Sequence, residues 1–321
     1  QPDIIICRSE KSIPSDQRKK ISLFCNVRFE NVIETVDVKT IYEAPKSFYK
    51  EKLDKQVLDF FKIRSRKKVN LNPWSKITNI VLKSKKEVNI ALVGKYVNLK
   101  DAYKSLDEAL IHGGIKNNVK INLIRLDAEK LNDSEINKKI KNVSGVIIPG
   151  GFGKRGTSGK ILSIRLARQK RIPFLGICFG MQLAVIEFAR NVLKIKKAGS
   201  SELDKGCEPV VGLMEKWNKD GSIIKGSNMD LGGTMRLGAY NAKLRHNSLI
   251  KSIYKKSSIS ERHRHRYEVD FNLREKFEKK GMIFSGVSPD NQLTEIIELK
   301  DHPWFIGVQF HPEFKSRPLY P

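Results

Sequence analysis

From Glu87 onward, short apolar runs alternate with stretches whose apolar residues recur every three or four positions, the pattern of a parallel sheet flanked by helices. The runs Val88–Val93, Val119–Leu126, Val143–Ile148 and Ile172–Ile177 predict strands. Between them, Asp101–His112 sets Ala102, Leu106, Ala109 and Leu110 at helical spacing and predicts a helix stopped by Gly113-Gly114. Ser134–Lys141, Lys160–Gln169 and Met181–Val192 predict three more helices. Beyond Cys207 the pattern turns strand-rich, over Pro209–Met214, Gly238–Leu244, Ser258–Val269, Met282–Val287, Leu293–Leu299 and Trp304–Phe310. No internal repeat is visible.

The 321 residues suggest two domains, and 61 Lys+Arg against 35 Asp+Glu leave a formal charge of +26. Such an excess suits a basic face that neutralises nucleic-acid phosphates. The lysines are dispersed, however, as at Lys39, Lys46, Lys116, Lys160 and Lys216, with no aromatic residues interleaved, so solvated faces are the better reading and no nucleic-acid partner is expected. The longest uncharged stretch, Ile172–Ile186, has 15 residues and is broken by Pro173, Gly176 and Gly180. It falls short of the roughly 18 to 20 apolar residues of a membrane span, and no membrane partner is expected. Cys7, Cys25, Cys178 and Cys207 form no CxxC pair and no dense framework, which points to a reducing cytoplasm. Residues 62–86 carry nine basic side chains and no acidic one; they predict an exposed linker between an N-terminal part, 1–61, and a second domain, 87–321. The chain opens on Gln1 without a secretory-type leader, as a fragment of a longer protein would.

The strongest local motif is Gly176-Ile177-Cys178-Phe179-Gly180, between a predicted strand and a predicted helix. This is the setting of a nucleophile elbow with Cys in place of Ser: glycines permit the tight turn, and the helix N-terminus favours the thiolate. A thiol nucleophile needs a base and a group to orient that base, and His311-Pro312-Glu313 supplies both at the end of an apolar strand. Pro149-Gly150-Gly151-Phe152-Gly153, after another strand, offers backbone N–H groups for an oxyanion hole, the second donor being the N–H of Phe179. Its spacing matches neither common phosphate-binding loop.

Gly-Gly-Phe-Gly, Gly-Ile-Cys-Phe-Gly-Met-Gln and His-Pro-Glu, in this order, resemble the class I glutamine amidotransferases. Residues 231–238 (Leu-Gly-Gly-Thr-Met-Arg-Leu-Gly) and 261–269 (Glu-Arg-His-Arg-His-Arg-Tyr-Glu-Val) resemble the CTP synthase family among them, and the resemblance runs from Gln1 to Pro321. It implies an α/β fold: a flavodoxin-like open sheet with flanking helices over 87–321, lacking its final helix, preceded by the C-terminal part of a P-loop-type α/β synthetase (amidoligase) domain. It further implies that Cys178 attacks the glutamine amide, His311 moves protons and Glu313 orients His311. Gly151 and the backbone of Phe179, Gly180, Met181 and Gln182 would meet glutamine and its oxyanion, with Glu202 and Arg266 on its amino and carboxylate ends. Lys20, Val36, Asp37 and Val38 match nucleotide-contacting positions (UTP, CTP or ATP), and Arg155, Thr234 and Arg236 are candidates for GTP activation.

The implied activity is ATP-dependent amination of UTP to CTP, a ligase step of pyrimidine biosynthesis fed by glutamine hydrolysis. ATP and Mg2+ would be the cofactors, held mostly by residues upstream of this chain, with GTP as allosteric activator; the intact enzyme would be a cytoplasmic homotetramer. His263 and His265 also read as metal ligands, but no Cys or further His lies nearby, and a structural strand presenting Arg262, Arg264 and Arg266 on its other side is preferred. No metal site is expected within this chain. A free-standing class I glutaminase or hydrolase and a basic nucleic-acid-binding module are the alternatives.

Overall fold

The structure is a computed structural model, and it describes every residue except Arg66, 214–215, 220–221 and 226–234. Two compact units emerge, Gln1–Lys86 with Gly114–Lys120, and Glu87–Gly113 with Ile121–Pro321.

In the first unit, strands Ile5–Ser9 and Val32–Val36 pair in parallel, Ile5 opposite Val32, across a helix at Ser15–Phe24. Val32 and Ile33 are fully buried. The helix buries none of its side chains, and Leu23 and Phe24 at its end are 77% and 85% exposed. The expected exposed linker is corrected here: residues Asn72–Lys83 form a helix, with Pro73 in the first turn, where its missing N–H costs nothing. Trp74, Ile77 and Val81 recur at helical spacing, and nine positive charges over 62–86 masked that stripe. Ile77 and Thr78 are buried, and Trp74 stacks on Tyr42 at 6.3 Å.

The second unit is built on a nine-stranded sheet, comprising β1 (Glu87–Gly94), β2 (Lys120–Asp127), β3 (Gly145–Ile148), β4 (Phe174–Ile177), β5 (Arg236–Leu244), β6 (Ser258–His265), β7 (Met282–Val287), β8 (Thr294–Leu299) and β9 (Phe305–Val308). Their spatial order is β6-β5-β7-β8-β9-β4-β3-β1-β2. β1, β3, β4 and β9 run parallel, whereas β8, β7, β5 and β6 extend the sheet in antiparallel fashion from β9. The sheet is thus mixed, with helices on the parallel crossovers: α1 (Lys104–Asn117), α2 (Asp133–Lys139), α3 (Thr157–Gln169) and α4 (Phe179–Asn191).

β3, β4 and β9 are short and almost wholly buried because both sheet faces are covered. Phe174 and Phe305 stack at 4.3 Å on the face shared with Ile164, Ala167, Leu183 and Phe188 of α3 and α4. Ile177, Ile306 and Val308 point the other way, among Leu106, Ile250 and Ile259. Two predicted boundaries move. α1 runs through Gly113-Gly114 and stops only before Asn118, whose φ of 55° and N–H bond to the Ile115 carbonyl terminate it. The predicted strand Ser258–Val269 breaks at Arg266: its second piece, Tyr267–Val269, leaves the large sheet and pairs with Glu208–Leu213 beside Ala198–Ser200.

Candidate active site

β4 lies between β3 and β9, with Gly176 opposite Ile148 and Ile177 opposite Val308. The loops leaving the C-terminal ends of these three parallel strands therefore emerge side by side, the usual place for a site in an open α/β sheet. They carry Pro149–Gly153, Cys178 and His311–Glu313, the three motifs singled out from the sequence. A backbone bond from Cys178 N to Val308 O, 2.7 Å, ties the second to the third.

Cys178 is buried and takes φ 52°, ψ −104°, a conformation that L residues avoid and that tight functional turns hold by force of their surroundings. Here the surroundings are α4, which starts at the next residue, and Gly180, where a Cβ would lie 2.1 Å from the Ile148 carbonyl oxygen. Phe179 opens the helix, so its N–H has no partner within the helix. On the β9 side, His311 N bonds Arg262 O at 2.8 Å, the imidazole stacks on Phe314 at 5.1 Å, and Nδ1 meets Glu313 Oε1 at 2.8 Å. Burial lowers the pKa of His311, yet hydrogen bonds to Cys178 and Glu313 and the charges on both outweigh it and hold the ring up at about 10. With Cys178, His311 and Glu313 so linked, Nδ1 is committed to the carboxylate and Nε2 is left for the sulfur, the arrangement of an activated thiol nucleophile.

The Gly-rich loop is held from below. Lys95 Nζ donates to Phe152 O at 2.5 Å, and Gly153 N donates to Glu202 Oε1 at 2.8 Å, so the Phe152–Gly153 peptide is pinned at both ends. Tyr267 gathers the other predicted substrate groups: burial raises its hydroxyl pKa, Glu202 raises it further and Arg266 lowers it, which places both charges near one phenol. Arg266 sits half-buried at the bend after β6.

Two buried groups escaped the sequence. Gln309 is fully buried, its Nε2 3.7 Å from Cys178 Sγ and its Oε1 3.2 Å from Gln182 Nε2. Its only signal was its place two residues before His311. Lys160, expected on a solvated face, is fully buried with no hydrogen bond to Nζ.

Other expectations meet different fates. Arg236 is corrected as a nucleotide-facing residue: it is 2% exposed, its guanidinium locked to Glu268 at 2.9 Å and Glu295 at 2.6 Å. His263 and His265 alternate inward on β6 as expected and bond to each other, Nδ1 to Nε2, at 2.9 Å. Burial, then Arg236, drives both imidazoles well below their usual range, so both are neutral. Arg155 is half-exposed, paired with Glu129 at 2.8 Å and lying over the Tyr96 ring. Thr234 lies outside the described residues. In the first unit, Lys20 is exposed on its helix, Val36 ends a strand, and Asp37 just beyond it is taken by Arg8 at 2.7 Å, with Val38 half-buried.

Comparison with known proteins agrees with this geometry. The family described as glutamine amidotransferase class-I matches residues 98–320, and the one described as CTP synthase N-terminus matches residues 1–63. The chain is 71% identical to the CTP synthase of Pelagibacter ubique over all of its own length and 60% of that relative's. It is 50% identical to the CTP synthase of Parvibaculum lavamentivorans, again over its full length and 59% of the relative's. It thus spans about 60% of the curated relatives it matches. Among solved structures, the glutaminase domain of Trypanosoma brucei CTPS with bound acivicin is 36% identical and superposes with a TM-score of 0.65, covering 73% of this chain and 89% of that one.

Proposed function

The chain belongs to the class I glutamine amidotransferase family, in its CTP synthase branch, and from that premise we propose that it hydrolyses glutamine at Cys178 to supply ammonia for the amination of UTP to CTP. The observation that carries this is the convergence of Cys178, His311 and Glu313 on the adjacent ends of β4 and β9. Glutamine lies with its amino group towards Glu202 and its carboxylate on Arg266, whose guanidinium grips a carboxylate bidentately. The Cys178 thiolate attacks the side-chain amide carbon, and the carbonyl oxygen takes the negative charge, facing the N–H groups of Gly151 and Phe179. His311, protonated, gives its proton to the departing nitrogen, and ammonia leaves a thioester on Cys178. A water, deprotonated by His311, then attacks the thioester carbonyl; glutamate departs and the thiol is restored. Glu313 keeps the ring in one orientation throughout.

Among the described residues no group of three or more His, Cys, Asp or Glu side chains is placed to hold a metal ion, so these residues do not fit the Mg2+ that the family's ATP chemistry implies. ATP, UTP and Mg2+ belong, on this proposal, with the part of the relatives' length that the chain does not span, Lys20 and Val36–Val38 contributing at the nucleotide's edge. Arg155, whose guanidinium is half-exposed and paired with Glu129, is the described residue proposed to meet an activating GTP. A homotetramer in the cytoplasm is proposed for the complete enzyme, and no described helix is long and apolar enough to cross a membrane. The match of residues 1–63 to the CTP synthase N-terminus favours this over a free-standing glutaminase.

The test uses acivicin, which the Trypanosoma brucei structure shows bound to a glutaminase domain. Intact-mass spectrometry should show one adduct per chain, mapped to Cys178, and none in Cys178→Ala, which should also lose glutamine hydrolysis. Labelling at Cys7, Cys25 or Cys207 instead, or hydrolysis surviving in Cys178→Ala, would sink the assignment.

A further inference from the structure

Lys160 lies in the first turn of α3, with no accessible surface at all, and its Nζ makes no hydrogen bond. A cation so placed destabilises the fold, and an apolar side chain of the same length would remove that cost. Its surroundings are specific. A Cβ built on Gly151 would lie 3.7 Å from Nζ, and the Phe179 ring centroid is 5.2 Å away, its electron-rich face turned to the charge. Gly151 and Phe179 are the two residues whose N–H groups the mechanism proposed above sets against the oxyanion. Lys95, bonded to Phe152 O at 2.5 Å, brings a second cation to the same loop.

We propose that the Lys160 ammonium is the electrostatic support of the oxyanion hole, a positioning residue set beneath both donor residues so that negative charge passing from Cys178 to the substrate oxygen stays within its field. The idea rests on the glutamine hydrolysis proposed above. As the thiolate attacks, charge moves from sulfur to oxygen inside a water-poor site where a fixed cation acts strongly. The ammonium need not touch the substrate. Burial, then Lys95, lower the Lys160 pKa to about 8, with Cys178 opposing, so the cation prevails at neutral pH and fades above pH 8.

The experiment compares the full chain with Lys160→Met and Lys160→Gln. The kcat for glutamine hydrolysis should fall by roughly 10- to 100-fold with KM changed less than about twofold, since the charge is needed by the transition state rather than by bound substrate. The melting temperature of Lys160→Met should be equal or higher, because an unpaired buried charge has gone. The second measurement needs no glutamine: Cys178 is alkylated with anionic iodoacetate and with neutral iodoacetamide, and the ratio of the two rates is taken so that the thiolate fraction cancels. The ratio should drop at least about threefold in Lys160→Met, and in the wild type it should drop between pH 7 and pH 9 as Lys160 loses its proton. A ratio unmoved by pH and by substitution overturns the role of Lys160, as does a kcat loss matched by a lower melting temperature with the ratio unchanged. If the wild type fails to hydrolyse glutamine, the functional proposal falls while the alkylation ratio still decides the role of Lys160; if a variant does not fold, the wild-type pH series decides it.

Discussion

Gly150→Ala is a single-methyl test of the triad. A Cβ at position 150 would sit 2.6 Å from His311 Cε1, 3.5 Å from His311 Nε2 and 3.6 Å from Cys178 Cβ. Only the first is a clash, and relieving it to ordinary contact requires the imidazole to retreat by about 0.8 Å. The ring cannot retreat by simple translation, because Nδ1 is held by Glu313 at 2.8 Å and its face lies on Phe314. It must tilt, and Nε2 then loses its aim at Cys178. A displacement near 1 Å at reacting groups costs about 10²-fold in rate, or about 2.7 kcal/mol of barrier. Folding free energy should fall by less than the barrier rises, because Ala in place of Gly reduces unfolded-state entropy by about 0.4–1 kcal/mol and offsets part of the cost of tilting the ring. Steady-state glutamine hydrolysis together with urea denaturation checks both halves. A kcat/KM within about threefold of wild type, or a rate loss accompanied by an equal loss of folding free energy, refutes the steric account.

Two further outcomes follow from the buried charges. The His311 pKa stands at about 10 in the fold, above the ordinary imidazole value of 6.5, so the stability it contributes is complete below about pH 6.5 and is lost as pH rises through about 10; the urea midpoints of wild type and His311→Gln should converge over that window, and a gap that widens would contradict the sign. Arg236→Met strips the buried Glu268 and Glu295 of their shared partner and should destabilise by about 3–5 kcal/mol at pH 7, measured by denaturant titration. Burial raises the pKa of Glu268 and Glu295 and Arg236 lowers it, so without Arg236 both carboxyls must bind protons to stay buried, and the penalty should shrink at pH 5, where protons are more available; an unchanged penalty would argue against an electrostatic origin.

Legibility in the sequence tracked the scale of the interaction. β1, β3, β4 and β9 were readable because strands buried on both faces must be continuous apolar runs, and the three site loops because each carried a motif with a local backbone reason. Residues whose role depends on what packs over them were not. Lys160 has the same local look as Lys39 or Lys116, and only the fold of the Gly-rich loop above α3 removes it from water. Arg236 entered as a GTP candidate through the family resemblance, and nothing local corrected it because its two carboxylate partners lie 32 and 59 residues away. The stripe of Trp74, Ile77 and Val81 was hidden by charge count, since seven of the nine basic residues of 62–86 flank the helix rather than lie on it and make the whole segment read as a connector. The stop expected at Gly113-Gly114 failed because helix ends are decided by the residue that takes the left-handed turn, here Asn118.

The insertion of β9 between β8 and β4 also bears on the order of synthesis. Cys178 is translated about 130 residues, and the Gly-rich loop about 160 residues, ahead of His311 and Glu313. Until Phe305–Val308 has left the ribosome and paired with Phe174–Ile177, the half-made protein has a cysteine with nothing to take its proton. Closing so distant a parallel pair is slow, late work for a chain. On the function proposed above, a nascent or prematurely terminated polypeptide is catalytically silent by construction, and glutamine hydrolysis starts only when the final central strand is seated.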